Sequence, residues 1–474
     1  MRVLIVEDDK NTVAVLVQEL LKIPHVTTEV AESKEAALNA LQATEFDFVI
    51  NDLRIPTMNG ALDADKVHGL AVHSYVREHS NGTPIVIFTG YETFELAQQL
   101  YESSARCDVW ASKTEIPLTR LFSKTQLPEC LAAVKAAADQ LAAVESVEIS
   151  MGAASLTLSQ KQCRVLQLFG RFNSGANIIV SQLGGGLSNT TVFRVTVEDQ
   201  KGAPASHAVA KIGPINLLAD ERERYETYVA PVMAPGCFAP VIRFCNAGAG
   251  NFGGIFYSLA SVHEETLLDV LEARPQDGPK IVHRLRTIEG PWQSKTHLEN
   301  KTVGDIRRLF ISDGDFAAVA PNLSFDWLKL ESKQIALPFC RQHFDLHGLN
   351  VLISNGAEPL VIDYGEVGVG PACVDPLILE LSVLFHPSAE RLRDSWPSED
   401  QAKVWDDLSS FSKGCTFAEY VSECRKWSHD VASRDSAVYA TAYSFAVRQL
   451  KYPKVRHDLA LNIAAAACRR LTKA

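Results

Sequence analysis

The residues with the clearest chemistry lie in Arg341-Gln-His-Phe-Asp-Leu-His-Gly-Leu-Asn-Val-Leu-Ile353, followed by Val361-Ile-Asp-Tyr-Gly365. Asp345 and Asn350 sit on a loop that feeds an apolar strand, and Asp363 ends the next apolar strand. One carboxylate, Asp345, is placed to accept or orient the proton of a hydroxyl. An amide oxygen and a second carboxylate, Asn350 and Asp363, are hard oxygen ligands of the kind that Mg²⁺ takes when it neutralises a triphosphate. The set suits phosphoryl transfer, with Asp345 as base. A hairpin with solvated turn carboxylates is the plain alternative, and the agreement of residue types, spacing and strand context weighs against it. His343 and His347 are spaced to hold a metal on a helix, but within this loop they are expected to orient backbone and acceptor.

A second group of reactive side chains falls at the ends of short apolar runs near the start of the chain. Val3-Leu-Ile-Val6, Phe48-Val-Ile50, Ile85-Val-Ile-Phe88 and Asp108-Val-Trp110 read as strands, and helix-like stretches such as Asn11 to Lys22 alternate with them. That alternation implies a parallel sheet with helices on both faces, whose site lies beyond the carboxyl ends of the strands. Those ends carry Asp8, Asp9, Asp52, Thr89 and Lys113. Crowded carboxylates repel one another, and a divalent cation plus a lysine offsets that repulsion.

Composition sets the frame. The 474 residues, 46% hydrophobic and 22% charged, suit two to four globular domains. No apolar run reaches the length of a membrane span, and the apolar start Met1 to Val6 is too short for a signal peptide. A net charge of −11 disfavours duplex DNA as a partner, so no nucleic acid and no membrane are expected. Ten scattered cysteines without a Cys-x-x-Cys pair read as reduced thiols of a cytoplasmic protein. Residues 155–169 begin like a helix-turn-helix output, with a cap near Ser159, but Asn177-Ile-Ile-Val180 and then glycines follow where a recognition helix would stand.

The first group, Asp8, Asp9, Asp52, Thr89 and Lys113 in this order, resembles the acid pocket of a response-regulator receiver domain. The resemblance implies that Asp8, Asp9 and Asp52 bind Mg²⁺ and that Asp52 is the phosphoacceptor of a sensor histidine kinase. Thr89 would hydrogen-bond the phosphoryl group, Lys113 would pair with it, and Trp110, three before Lys113, would be the aromatic switch. Residues 57–68 lengthen the segment after Asp52 and are expected to gate access or touch a partner, and Thr114 stands where the family has a proline.

The His-Phe-Asp-Leu-His loop and the Asp363 strand end are similar to the aminoglycoside and choline phosphotransferases of the protein-kinase-like superfamily. That resemblance covers roughly residues 180–474. Leu183-Gly184-Gly185-Gly186-Leu187-Ser188 is a glycine-rich turn whose backbone could approach phosphates, and it is not a Walker A loop. Lys211 on the strand Ala208-Val-Ala-Lys-Ile212 would pair with the α- and β-phosphates of ATP. A glutamate of the helix that follows would hold Lys211: Glu223 first, with Glu226 and Glu221 as alternatives. Asp375 takes a structural role. The stretch Gly290 to His297 reads as irregular and could hold an acceptor, whose identity the sequence leaves open.

The expected architecture is α/β: a doubly wound, flavodoxin-like receiver (1–127), a helical linker (128–176), and a bilobal α+β kinase-like domain with a small lobe (177–262) and a helical large lobe (263–474). Its arrangement is similar to the ternary complex associated bacterial domains. The function implied is a two-component response regulator whose phosphorylated Asp52 controls an ATP- and Mg²⁺-dependent phosphotransferase. The alternative is a receiver-regulated, nucleotide-binding pseudokinase scaffold in a signalling or defence complex.

Overall fold

The computed structural model describes residues 1–80, 82–90, 105–152, 157–183, 190–259, 263–354, 357–393 and 396–473. It divides into two compact units, Met1–Leu218 with Val241–Ser258, and Ala219–Pro240 with Leu259–Ala474. Among the described residues, no helix is long and apolar enough to cross a membrane, and all ten cysteines are free.

The first unit opens with β1 (Arg2–Val6), α1 (Lys10–Leu20), β2 (Thr27–Ala31), α2 (Lys34–Ala43), β3 (Phe48–Asn51), α3 (Lys66–His79) and β4 (Ile85–Thr89). A short antiparallel pair, β5 (Arg106–Cys107) and β6 (Ile116–Pro117), comes next, then β7 (Thr119–Ser123) and α4 (Leu127–Glu145). The sheet runs β2-β1-β3-β4-β7, and every pairing in it is parallel. This is the doubly wound receiver sheet. Its inner strands β1, β3 and β4 are buried on both faces, which explains their Val, Ile and Leu runs. The fifth strand differs from expectation. Asp108 to Trp110 lies in the turn of the β5–β6 pair, and β7 supplies the outer strand.

The same unit continues as β8 (Glu148–Met151), α5 (Gln160–Phe172), β9 (Asn177–Gln182), β10 (Thr191–Glu198), β11 (Pro204–Pro214), β12 (Val241–Cys245) and β13 (Phe252–Ser258). These strands form one sheet in the order β12-β13-β11-β10-β9-β8. Helix α5 starts on a capping box in which Ser159 and Gln162 satisfy each other's backbone N–H groups. The stretch 128–176, expected as a linker, is built into the unit on both sides. Helix α4 packs Cys130, Val134 and Leu141 into the core with Val3, Ile5, Leu16 and Leu20, and β8 pairs in parallel with β9.

That core does not stop at the receiver. The same cluster continues through Val165, Phe169, Ile178, Phe193 and Phe256 of the second sheet and its helix. Phe169 stacks face to face on Phe256, with centroids 3.8 Å apart. Backbones also approach closely. Gly248 has φ +85°, and a Cβ there would meet the Val109 carbonyl at 2.3 Å, so only glycine fits. Ion pairs ring the contact: Arg164 to Asp47 at 3.2 Å, and Lys161 to Glu45 at 2.7 Å.

The second unit carries the three-stranded sheets β14 (His263–Thr266)-β17 (Val351–Ser354)-β18 (Pro359–Val361) and β15 (His297–Thr302)-β16 (Gln334–Gln342)-β19 (Gly368–Pro371). Around them stand helices, among them α6 (Leu267–Ala273), α7 (Gly278–Gln293), α8 (Val374–Phe385), α9 (Ala418–Ala432), α10 (Asp435–Gln449) and α11 (His457–Lys473). The stretch 290–297, expected to be irregular, is the last turn of α7 and the start of β15. Trp292 is buried and donates to the Tyr228 carbonyl at 2.9 Å, so packing holds this segment in place.

Because one core serves both sheets of the first unit, Phe169→Ala should destabilise receiver and kinase-like sheet together. The expected cost is about 3–5 kcal/mol. Differential scanning calorimetry checks it: a single transition moves as a block, and a receiver transition that stays in place contradicts a shared core.

Candidate phosphoryl-transfer sites

At the carboxyl edge of the receiver sheet, Asp52 follows β3 and is 5% exposed. Its N–H donates to the Val6 carbonyl at 2.8 Å, which fixes it beside the end of β1. Carboxylate oxygens of Glu7, Asp8 and Asp52 all lie within 4.8 Å of one another. Lys124 Nζ bridges Asp52 Oδ2 and Glu7 Oε2, each at 2.8 Å. Burial and the charge of Asp52 push the Glu7 carboxyl up to about 6 against the pull of Lys124. Burial likewise raises Asp8, and the Asp52 charge adds to it. Three hard oxygen donors at this spacing, strained by mutual repulsion, fit a small divalent cation such as Mg²⁺.

Three expectations change here. Lys113 does not reach Asp52. It sits in the turn after Trp110 with φ 63°, its ammonium 5.8 Å from the centre of the Phe172 ring. The lysine of the pocket is Lys124, because β7 is the strand that ends beside Asp52. Three before Lys124 stands Leu121, so no aromatic ring occupies the switch position, and Trp110 is a buried core residue of the β5–β6 turn. Asp9 also leaves the metal set. It caps α1, accepting from the N–H groups of Asn11 and Thr12 and from the Thr12 hydroxyl at 2.6 Å, and these bonds lower its pKa. Glu7 takes its place. Thr89 remains at the site: it is 1% exposed, and its carbonyl accepts from the Lys124 N–H at 3.1 Å. The longer segment after Asp52 is closed by Asp63, which accepts from Thr57 N at 3.0 Å, and by His68 Nδ1 against the Ile55 carbonyl at 2.9 Å.

The second site lies wholly in the second unit. Strand β16 leads into His343, and the loop reaches β17 at Val351. Asp375, at the start of α8, accepts from the N–H groups of His343 at 2.6 Å and Phe344 at 2.8 Å. These bonds hold Phe344 at φ 64°, a costly backbone conformation for a bulky residue. Asn350 Nδ2 donates to the Asp345 carbonyl at 2.8 Å and more distantly to Asp345 Oδ2 at 3.4 Å. The Leu349 N–H donates to His347 Nδ1 at 3.3 Å, so in this pattern Nε2 carries the proton and faces Asp345 Oδ2 at 3.5 Å. Asp345 is 32% exposed. Burial alone would raise its carboxyl, but His347, Arg448 and His343 hold it well below the usual carboxylate range. These neighbours favour its ionised form. Asp363 follows β18 with φ 65°, and β17 and β18 pair directly. The Ile362 N–H donates to the Asn350 carbonyl at 3.0 Å, which ties the two candidate ligands' backbones together. An amide oxygen and a carboxylate on adjoining segments are an oxygen donor set that suits Mg²⁺.

Lys211 lies on β11 and is 9% exposed. Of the three glutamates weighed for it, Glu223 and Glu226 are exposed and Glu226 pairs with Arg222 at 2.7 Å, whereas Glu221 is 2% exposed. The helix turns Glu223 to solvent, and Glu221 is the buried acid. Gly184, Gly185, Gly186 and Ser188 lie outside the described residues.

Residues 3–108 match the response regulator receiver domain, and residues 179–408 match the phosphotransferase enzyme family. The chain is thus a receiver domain fused to a phosphotransferase-family domain. Similar solved structures include response regulator TrrA from Thermotoga maritima with Mg²⁺ and beryllium fluoride (21% identity, 29% of this chain and 97% of that one, TM-score 0.22). A receiver domain protein from Methanospirillum hungatei is 19% identical over 29% of this chain and 94% of its own, with a TM-score of 0.23. RcsB from Salmonella enterica serovar Typhimurium, bound to a promoter, is 21% identical over 36% of this chain and 76% of its own, with a TM-score of 0.21. No curated protein matches.

Two outcomes follow from this geometry. Lys124→Ala should weaken phosphorylation of Asp52 by acetyl phosphate, read by intact mass, about tenfold or more, the worth of one charge-assisted hydrogen bond. Lys113→Ala should leave it unchanged. The second concerns Glu289 on α7, 1% exposed and with no hydrogen-bond partner for Oε1 among the described residues. Burial and the nearby Asp375 raise its pKa well above 4.5. Burial raises Asp375 as well, to about 7, but the N–H groups of His343 and Phe344 pull it back down, whereas Glu289 has no such bonds and is the group that keeps its proton. Native Glu289 thus holds a proton that the unfolded chain releases above 4.5, so this group makes stability fall as pH rises beyond that value. Glu289→Gln should flatten the fall, seen as urea midpoints that diverge between about pH 5 and about pH 8.

Proposed function

We propose that this protein is a two-component response regulator whose output is an Mg²⁺- and ATP-dependent phosphotransferase. The observation that carries the reading is Asp345 on a loop held by Asp375, its Oδ2 turned to His347 and Asn350. In this reading a sensor histidine kinase donates its phosphoryl group to Asp52, with Glu7 and Asp8 completing the metal site and Lys124 and Thr89 on the phosphoryl oxygens.

In the output domain, Lys211 would take the α- and β-phosphates of ATP. Asn350 and Asp363 would hold a Mg²⁺ ion, which when bound would neutralise charge on the triphosphate. Asp345 takes the proton of the acceptor hydroxyl as that oxygen bonds to the γ-phosphorus, and the bond to the β–γ bridging oxygen breaks to release ADP. His347 and Asn350 occupy Oδ2 of Asp345, which leaves Oδ1 toward the acceptor. Ten free cysteines support a reducing compartment such as the cytoplasm.

Thermal melts test the nucleotide assignment. A ligand at about 100 times its Kd stabilises the native state by about 2.7 kcal/mol. Mg-ATP should raise the melting temperature, and Asp363→Ala should abolish the rise. An unchanged melt at millimolar Mg-ATP contradicts the phosphotransferase reading.

A further inference from the structure

The receiver departs from expectation at one place that faces the kinase-like sheet, the β5–β6 hairpin. The receiver-family match ends at residue 108, within this hairpin. Asp108 organises its turn. Oδ1 accepts from Ser112 N at 2.8 Å, and Oδ2 from Lys113 N at 3.0 Å. The same Oδ2 meets Arg243 Nη2 of β12 at 3.3 Å, and the Asp108 side chain is 11% exposed. Arg243 lies over the Phe172 ring at 4.4 Å. A neighbouring contact, Arg171 to the Trp110 carbonyl at 3.0 Å, holds the hairpin independently.

Two paths meet at this ion pair. On the receiver side, Lys124 grips Asp52 and directly follows β7. The hairpin directly precedes β7: Leu118 donates to the Ala105 carbonyl at 3.0 Å and accepts from Ile85 N at 2.8 Å. On the other side, Arg243 pairs across the ladder with Phe256, and Phe256 pairs with Ala210, the residue before Lys211. The aromatic switch expected three residues before the pocket lysine is closed to this chain, because Leu121 occupies that position. Phosphorylation adds charge and oxygens at the atom Lys124 holds, so Lys124 and β7 must adjust.

We propose that the Asp108–Arg243 ion pair carries the state of Asp52 from the receiver to β12 and β13, and so to the strand that bears Lys211. The inference rests on Asp52 as phosphoacceptor and gives that reading its route of regulation.

Hydrogen exchange on the full chain tests it without any nucleotide, comparing Mg²⁺ alone with Mg²⁺ plus beryllofluoride as phosphoryl mimic. In the unaltered protein, exchange should change at residues 119–124 and also at 241–258. In Arg243→Met, whose side chain can still cover Phe172, the change at 119–124 should persist and that at 241–258 should be lost. Asp108→Asn should behave alike, and Arg171, Trp110 and the Gly248 approach remain to hold the fold. A receiver response that never reaches 241–258 in the unaltered protein overturns the proposal, as does an Arg243→Met protein that keeps the distal change. No response at either segment removes the phosphoacceptor reading and this inference with it.

Discussion

The contact of Phe169 with Phe256 sits at the middle of an apolar core that begins at Val3 in the receiver and ends in the kinase-like sheet. Apolar surface returned to water costs roughly 25 cal/mol per Å², so separating the two sheets would expose many buried side chains at once. A receiver on a flexible tether signals by docking and release. One that shares its core cannot, and any signal has to pass as a small adjustment within packed structure. Gly248 at the Val109 carbonyl and Arg171 at the Trp110 carbonyl set the tolerance of that contact, because backbone meets backbone or guanidinium there.

In the second unit, the buried Asp375 has the comparable role for the loop of Asp345. Two short N–H bonds to one carboxylate hold Phe344 in a left-handed conformation. Gly370 shows how closely the loop is cast, since a Cβ there would lie 2.2 Å from the Phe344 ring. Asp345 and Asn350 then meet through a hydrogen bond from the amide, with the imidazole of His347 beside the same carboxylate.

Much of this was legible in the sequence, and the misreadings have physical causes. Hydrophobic runs place β1, β3 and β4, because buried parallel strands are apolar on both faces. The loop from His343 to Asn350 is legible because phosphoryl transfer restricts residue types at short spacing. Val109-Trp110-Ala111 followed by Ser-Lys imitates a strand end, which makes Lys113 read as the pocket lysine. Only the pairing of β4 with β7 reveals that the chain inserts a hairpin before its fifth strand. The run Leu118 to Phe122 ahead of Lys124 was the available signal. Glu7, Asp8 and Asp9 are adjacent carboxylates, and which of them face the pocket depends on where β1 ends and α1 is capped.

The central claim is that the state of Asp52 sets nucleotide binding in the output domain. Isothermal titration of Mg-ATP into the full chain, with and without beryllofluoride, tests it most directly. Coupled sites exchange about 1–3 kcal/mol, so the account predicts that the Mg-ATP dissociation constant changes by about fivefold or more on beryllofluoride binding. An affinity that is the same in both states, with beryllofluoride shown to occupy the receiver, would contradict it.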